Sequence, residues 1–112
     1  MKKKFLLLVG IVAMLSLSYS AHAENKQVTF KVFGNCGMCE KTIETAAKSV
    51  EGVTMADWDK KTKMIKVSFD TEKTSLDAIH KAIAKVGYDT EKVKAKDEVY
   101  NKLHSCCKYE RK

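Results

Sequence analysis

At 112 residues the chain has room for one compact domain and not for two. Its 21 Lys and Arg against 14 Asp and Glu leave a formal net charge of +7, yet the two signs are interleaved and no arginine cluster with aromatic neighbours is present, which excludes a nucleic-acid-binding class. No nucleophile–base pair, carboxylate dyad or phosphate-binding loop stands out either, so the sequence does not read as an enzyme.

The chain opens on Lys2-Lys3-Lys4, continues through the apolar run Phe5 to Leu17, and reaches the small-residue stretch Ala21-His22-Ala23. That is the layout of a cleaved secretory signal over residues 1–23, cut after Ala23. A spanning helix needs about 20 apolar residues, and this run ends before Ser18 and Ser20, so no stable membrane anchor is expected after cleavage. The expected destination is the periplasm, with secretion beyond the cell as the alternative. The three lysines leave with the leader, and the remaining positive surface reads as a solvated face.

The folded part begins with Val28, Phe30 and Val32 alternating against Thr29 and Lys31, a half-buried strand. Gly34-Asn35-Cys36-Gly37-Met38 breaks the alternation and predicts a loop. From Cys39 the period becomes helical, with Ile43, Ala46 or Ala47, and Val50 on one face and Gly52 as the stop. Val53 to Trp58 suggests a second strand, Asp59 to Thr62 a hairpin connection, and Ile65, Val67 and Phe69 a third strand. Ser75 is placed to cap a second helix with Leu76, Ile79, Ile83 and Val86 inward, closed by Gly87. His80, beside that face, reads as a surface or boundary residue. Lys92 to Lys96 is a weaker fourth strand. The order βαββαβ predicts an α+β sandwich: a four-stranded antiparallel sheet with two helices on one face. The domain is expected over 24–96, followed by a C-terminal extension over 97–112 that forms a short helix or ordered tail.

The four cysteines are not spread as a disulfide framework would require. Cys36 and Cys39 form C-x-x-C where a glycine-containing loop enters a helix. Unsatisfied N–H groups and the positive end of the helix dipole both favour thiolate there. Two thiolates three residues apart can face one soft ion. Two protein ligands suit Cu(I) first, whereas a structural zinc site wants four. Hg(II), Zn(II) and Cd(II) also accept thiolate pairs. An underfilled shell leaves room for a partner's thiols, the means by which an ion is handed over.

The Cys36-Gly37-Met38-Cys39 loop after the first strand, Ile43 four residues beyond the second cysteine, and the element order together resemble the heavy-metal-associated domain family, over about Lys26 to Lys96. Copper chaperones, domains of metal-pumping P-type ATPases and periplasmic mercury-binding proteins belong to it. The resemblance implies a ferredoxin-like fold, Cys36 and Cys39 as metal ligands, and a membrane metal transporter or efflux system as partner. Gly87-Tyr88 matches the family loop whose aromatic residue lies beside the metal, so Tyr88 would shield the ion without ligating it. Phe33-Gly34 stands where the family has Gly-Met, and Phe33 or Met38 is expected to take over as the anchor beneath the loop. Met38 is also the one methionine near enough in sequence to touch the ion.

His104-Ser105-Cys106-Cys107 lies outside that resemblance and offers three further ligands. The cluster either folds back onto the site, forms a second site, or simply packs through Cys107 with Tyr100 and Leu103. In a helix, Cys106 and Cys107 would point to different sides. The competing function for an exported C-x-x-C is thiol–disulfide exchange. The absence of any proline, and hence of the cis-proline that faces the thioredoxin C-x-x-C, argues against it. Neither Cys36 nor Cys39 is expected to belong to the core.

Overall fold

The computed structural model describes residues 24–111. The expected leader over 1–23 lies outside the described residues. Strand β1 (Asn25–Lys31) leads to helix α1 (Gly37–Lys48), then to strands β2 (Val53–Trp58) and β3 (Met64–Asp70), helix α2 (Leu76–Lys85), a short helix α3 (Asp97–Asn101) and a single 3-10 turn (Ser105–Cys107). The strands form an antiparallel sheet in the order β1-β3-β2.

Register sets which residues share the inner face. Phe30 pairs with Ile65 and Val28 with Val67 across one edge of β3, while Trp58 pairs with Ile65 and Ala56 with Val67 across the other. Because side chains alternate along a strand, these residues all point one way. Ile43, Ala46 and Ala47 of α1 and Ile79 and Ile83 of α2 complete a single apolar cluster with them, so both helices cover one face of the sheet. Each fully buried isoleucine contributes roughly 1.5–3 kcal/mol of transfer free energy. The Ser75 hydroxyl accepts from the Ala78 N–H and fixes the start of α2 as expected. At its end Gly87 takes φ +109°, a conformation only glycine adopts freely. Asp59 closes the β2–β3 hairpin by accepting from the Lys61 and Thr62 N–H groups.

The fourth strand does not form. Among the described residues this part of the chain makes one isolated bridge, Val32 to Thr90, and joins no strand of the sheet. The reason is local competition for backbone groups. The Thr90 hydroxyl accepts from the Lys92 and Val93 N–H groups, the Asp89 carboxylate accepts from the Ala95 N–H, and the Arg111 guanidinium donates to the Ala95 carbonyl. The segment expected as a strand is thus tied into a turn by side chains. The C-terminal extension is ordered but not one helix, since α3 ends at Asn101 and the chain turns again only at Ser105.

His80 is a second correction. It is fully buried, its ring stacks on Phe30 at 3.9 Å between centroids, and Nδ1 lies 2.6 Å from the Thr90 hydroxyl. Burial drives its pKa below the ordinary histidine value; the charge of Lys92 lowers it further, and those of Glu91 and Asp77 oppose the shift. Among the described residues no helix is long and apolar enough to cross a membrane.

Candidate metal site

The C-x-x-C loop is shaped from below by Trp58. Its indole is buried, and Nε1 donates to the Val32 carbonyl at 3.0 Å. Gly34 lies directly on that ring: a β-carbon there would sit 3.0 Å from two indole carbons and 3.1 Å from Ile43 Cδ1. The close approach favours glycine here, and Trp58 with Ile43 lies directly beneath the loop at this point. Phe33 packs at the edge of the core, while Met38 is 53% exposed.

Cys36 is the residue that caps α1, in extended conformation (φ −135°, ψ −179°), and Cys39 follows in the first turn. The helix therefore starts at Gly37, two residues earlier than its apolar period suggests. Both thiols are free, and their sulfurs are 3.7 Å apart. Cys36 is half-buried. Cys39 is fully buried and part of the apolar cluster, contrary to the expectation that neither cysteine belongs to the core. No side-chain hydrogen bond caps α1, but the nearby Cys39 backbone N–H favours the Cys36 thiolate and is the main reason its pKa falls to about 7. Partial desolvation opposes this, and the Met38 N–H with the thiols of Cys39 and Cys106 reinforces it. Tyr88 is buried, and its hydroxyl faces the thiols of Cys39 and Cys107; burial raises its pKa, so the phenol stays neutral.

The C-terminal extension returns to this loop. Cys36, Cys106 and Cys107 bring their sulfurs within 4.8 Å of one another, and the Cys106 and Cys107 sulfurs are 3.9 Å apart. The tight 3-10 turn places the two neighbours on one side, where a regular helix would have separated them. Cys107 is buried, and desolvation with the nearby Cys39 thiol pushes it up to about 12; Cys106 is exposed. His104 is exposed, precedes the turn, and is not a member of this thiol group.

Residues that sequence reasoning passed over hold the tail in place. Asn35 Nδ2 donates to the Lys108 carbonyl at 3.0 Å. The buried Tyr109 hydroxyl accepts from the Asp89 N–H at 2.8 Å and donates to the Gly87 carbonyl at 2.9 Å. Its ring stacks on Tyr88 and meets Tyr100 edge-on. Arg111 forks onto both Asp89 oxygens at 2.9 and 3.0 Å, reaches Asp97 at 2.9 Å, and lies over the Tyr100 ring. Burial alone would raise the Asp89 pKa, but the Arg111 hydrogen bonds and charge with the Ala95 N–H hold it below the usual carboxylate value. The alternation of Tyr, Arg and Lys near the C-terminus carries no periodic signal, which is why it was not singled out.

Residues 29–89 match the model of the heavy-metal-associated domain. The chain belongs to that family. It is 38% identical over 86 residues to a mercuric transport protein periplasmic component of Shewanella putrefaciens, covering 76% of this chain and 92% of the relative. It is 33% identical over 55 residues to the copper chaperone CopZ of Staphylococcus aureus, covering 49% of this chain and 81% of the relative. Among solved structures, oxidized MerP from Ralstonia metallidurans superimposes with a TM-score of 0.58 at 36% identity, covering 61% of this chain and 96% of that one. The family interval ends at Asp89, so Cys106 and Cys107 lie beyond it.

Proposed function

We propose that this protein is an exported carrier that holds one soft metal ion on Cys36 and Cys39 and exchanges it with a membrane transporter. The observation that carries the reading is the pair of free sulfurs 3.7 Å apart at a helix start, one of them depressed in pKa to about 7 by backbone N–H groups. A thiol so placed carries a substantial thiolate fraction at neutral pH, and thiolate pairs select soft ions. The leader-like residues 1–23 and the periplasmic relative both support export. The chemistry is capture and release, without bond making in a substrate. Cu(I) is the cargo that two protein thiolates suit best. Hg(II) is the second reading, favoured by the mercuric transport relative matched over 92% of its length.

The test is an anaerobic competition of the reduced protein against chromophoric chelators, with Cu(I) and Hg(II) titrated in parallel. One ion should bind per chain, and Cys36→Ser should weaken it by about 100-fold or more, since even outer-shell changes at metal sites cost about 10–100-fold. The metal held more tightly relative to its free-ion background identifies the cargo. Binding of neither ion, or binding indifferent to Cys36→Ser, would end the carrier reading. Efficient disulfide exchange with no competitive metal binding would put thiol redox chemistry in its place.

A further inference from the structure

Resting on the carrier reading, we infer that the C-terminal Cys106-Cys107 pair is part of the metal site, so that the ion bound by Cys36 and Cys39 takes at least a third thiolate from the protein's own tail. The geometry is specific. Cys36 is shared between two thiol groupings: it lies 3.7 Å from Cys39 and within 4.8 Å of both tail sulfurs. Two metal–sulfur bonds of about 2.3 Å span about 3.8 Å at the tetrahedral angle and about 4.6 Å when collinear. The observed separations, 3.7 Å within the loop pair and 3.9 Å within the tail pair, are ordinary thiol contacts that are also short enough for tetrahedral edges, and Cys36 belongs both to the loop pair and to the three-sulfur group with Cys106 and Cys107.

Packing accounts for only part of this arrangement. Cys107 is buried and fills space beside Tyr88 and Cys39, as a small apolar residue would. Cys106 is exposed, so burial gives no reason for its sulfur to turn toward Cys36. The tail is also held by a forked Arg111–Asp89 pair, the Tyr88–Tyr109–Tyr100 ring stack and the Asn35–Lys108 hydrogen bond, which fix its position on the C-x-x-C loop itself. A tail that presents thiols where an incoming partner's thiols would enter converts an open shell into a closed one. Each thiol that joins releases its proton to solvent and forms one metal–sulfur bond, with no change of oxidation state. Hand-over then requires the tail to be displaced, so it retains the ion until a partner with competing thiols docks.

The experiment is X-ray absorption on the full-length reduced protein loaded with one equivalent of Cu(I), with the affinity measured by chelator competition on the same samples. Three or four sulfurs per copper are expected in the native protein and two in Cys106→Ser/Cys107→Ala, with affinity lower by about 10–100-fold, the range typical of weakened metal-site support. Because losing Cys107 could loosen the fold around it, two further variants separate ligation from packing. Cys106→Ser alters only an exposed group and should still remove one sulfur or weaken binding. Arg111→Gln leaves all four thiols and should lower both the sulfur count and the affinity by freeing the tail. Two sulfurs in the native protein, with affinity unmoved in Cys106→Ser and Arg111→Gln, would overturn the inference; so would two coppers per chain, each on two sulfurs. In either case loss of binding in Cys36→Ser would leave the carrier reading standing, whereas indifference to Cys36→Ser would remove that reading itself.

Discussion

Tyr109→Phe removes one oxygen atom from the joint between the tail and the domain. The ring remains, with its stacking on Tyr88 at 5.9 Å and its edge-on approach to Tyr100 at 5.0 Å, so the apolar burial is preserved. Two hydrogen bonds are lost, from the Asp89 N–H at 2.8 Å and to the Gly87 carbonyl at 2.9 Å, at a residue only 3% exposed. An ordinary intramolecular hydrogen bond is worth about 1 kcal/mol net, while a buried N–H left without a partner costs about 1–3 kcal/mol. The carbonyl has a second lone pair and suffers less, so the substitution should destabilise the metal-free protein by about 2 kcal/mol, roughly a 30-fold shift in the unfolding equilibrium. Urea denaturation measures the total, and amide hydrogen exchange locates it. The Asp89 N–H should exchange faster than the amides of β3, because the loss is local to the tail joint. An unfolding free energy unchanged to within about 0.3 kcal/mol, or an Asp89 amide still protected to the level of the sheet, would refute the role given to this hydroxyl.

Gly34→Ala should cost about 1–3 kcal/mol in thermal unfolding, because the new methyl meets the Trp58 ring at 3.0 Å and that ring is tethered to the Val32 carbonyl. Gly37→Ala, where nothing lies within 4 Å of the added atom, should be neutral or stabilising by up to about 1 kcal/mol through helix propensity; equal effects at the two glycines would refute the close-approach argument. His80 is held below its unfolded pKa, so the unfolded chain binds more protons and stability falls as pH drops from about 6.5 toward the depressed folded value. His80→Phe should flatten that decline in denaturation curves taken at successive pH values, and an unchanged slope would count against it. In the metal-free protein, the rate at which iodoacetamide modifies Cys36 should rise with a midpoint of about pH 7, read by peptide mass spectrometry; a midpoint near 9 would show that the backbone N–H groups do not act on this sulfur.

Much of the domain was legible because its signals are periodic. The alternation of Phe30, Ile65, Val67 and Phe69, the spacing of Ile79 and Ile83, and the cap at Ser75 each specify a local structure that the core then uses. The C-x-x-C pair stood out by its spacing, and the structure sets its two free sulfurs 3.7 Å apart at the start of α1. The errors have different causes, some in nearby side chains that bind the backbone and some in contacts from distant parts of the chain. Lys92 to Lys96 alternates weakly enough to suggest a strand, but Thr90, Asp89 and Arg111 satisfy its backbone first. His80 looked like a boundary residue until Thr90 and Phe30 were brought to it from other elements. Cys39 was read by its chemistry alone, although its place in the first turn of α1 aims it into the core. The return of the tail depends on Tyr100, Tyr109 and Arg111, whose spacing follows no helix or strand period. A fold-back of that kind is written in complementary surfaces, not in a repeat.

The most direct test of the central claim is the anomalous-scattering map of crystals grown from the protein loaded with one equivalent of Hg(II) or Cu(I). The account predicts one strong peak within bonding distance, about 2.3 Å for a metal–thiolate pair of zinc-like length, of both Cys36 Sγ and Cys39 Sγ. A peak remote from these two sulfurs, or a Cys36–Cys39 disulfide with the metal bound elsewhere, would contradict it.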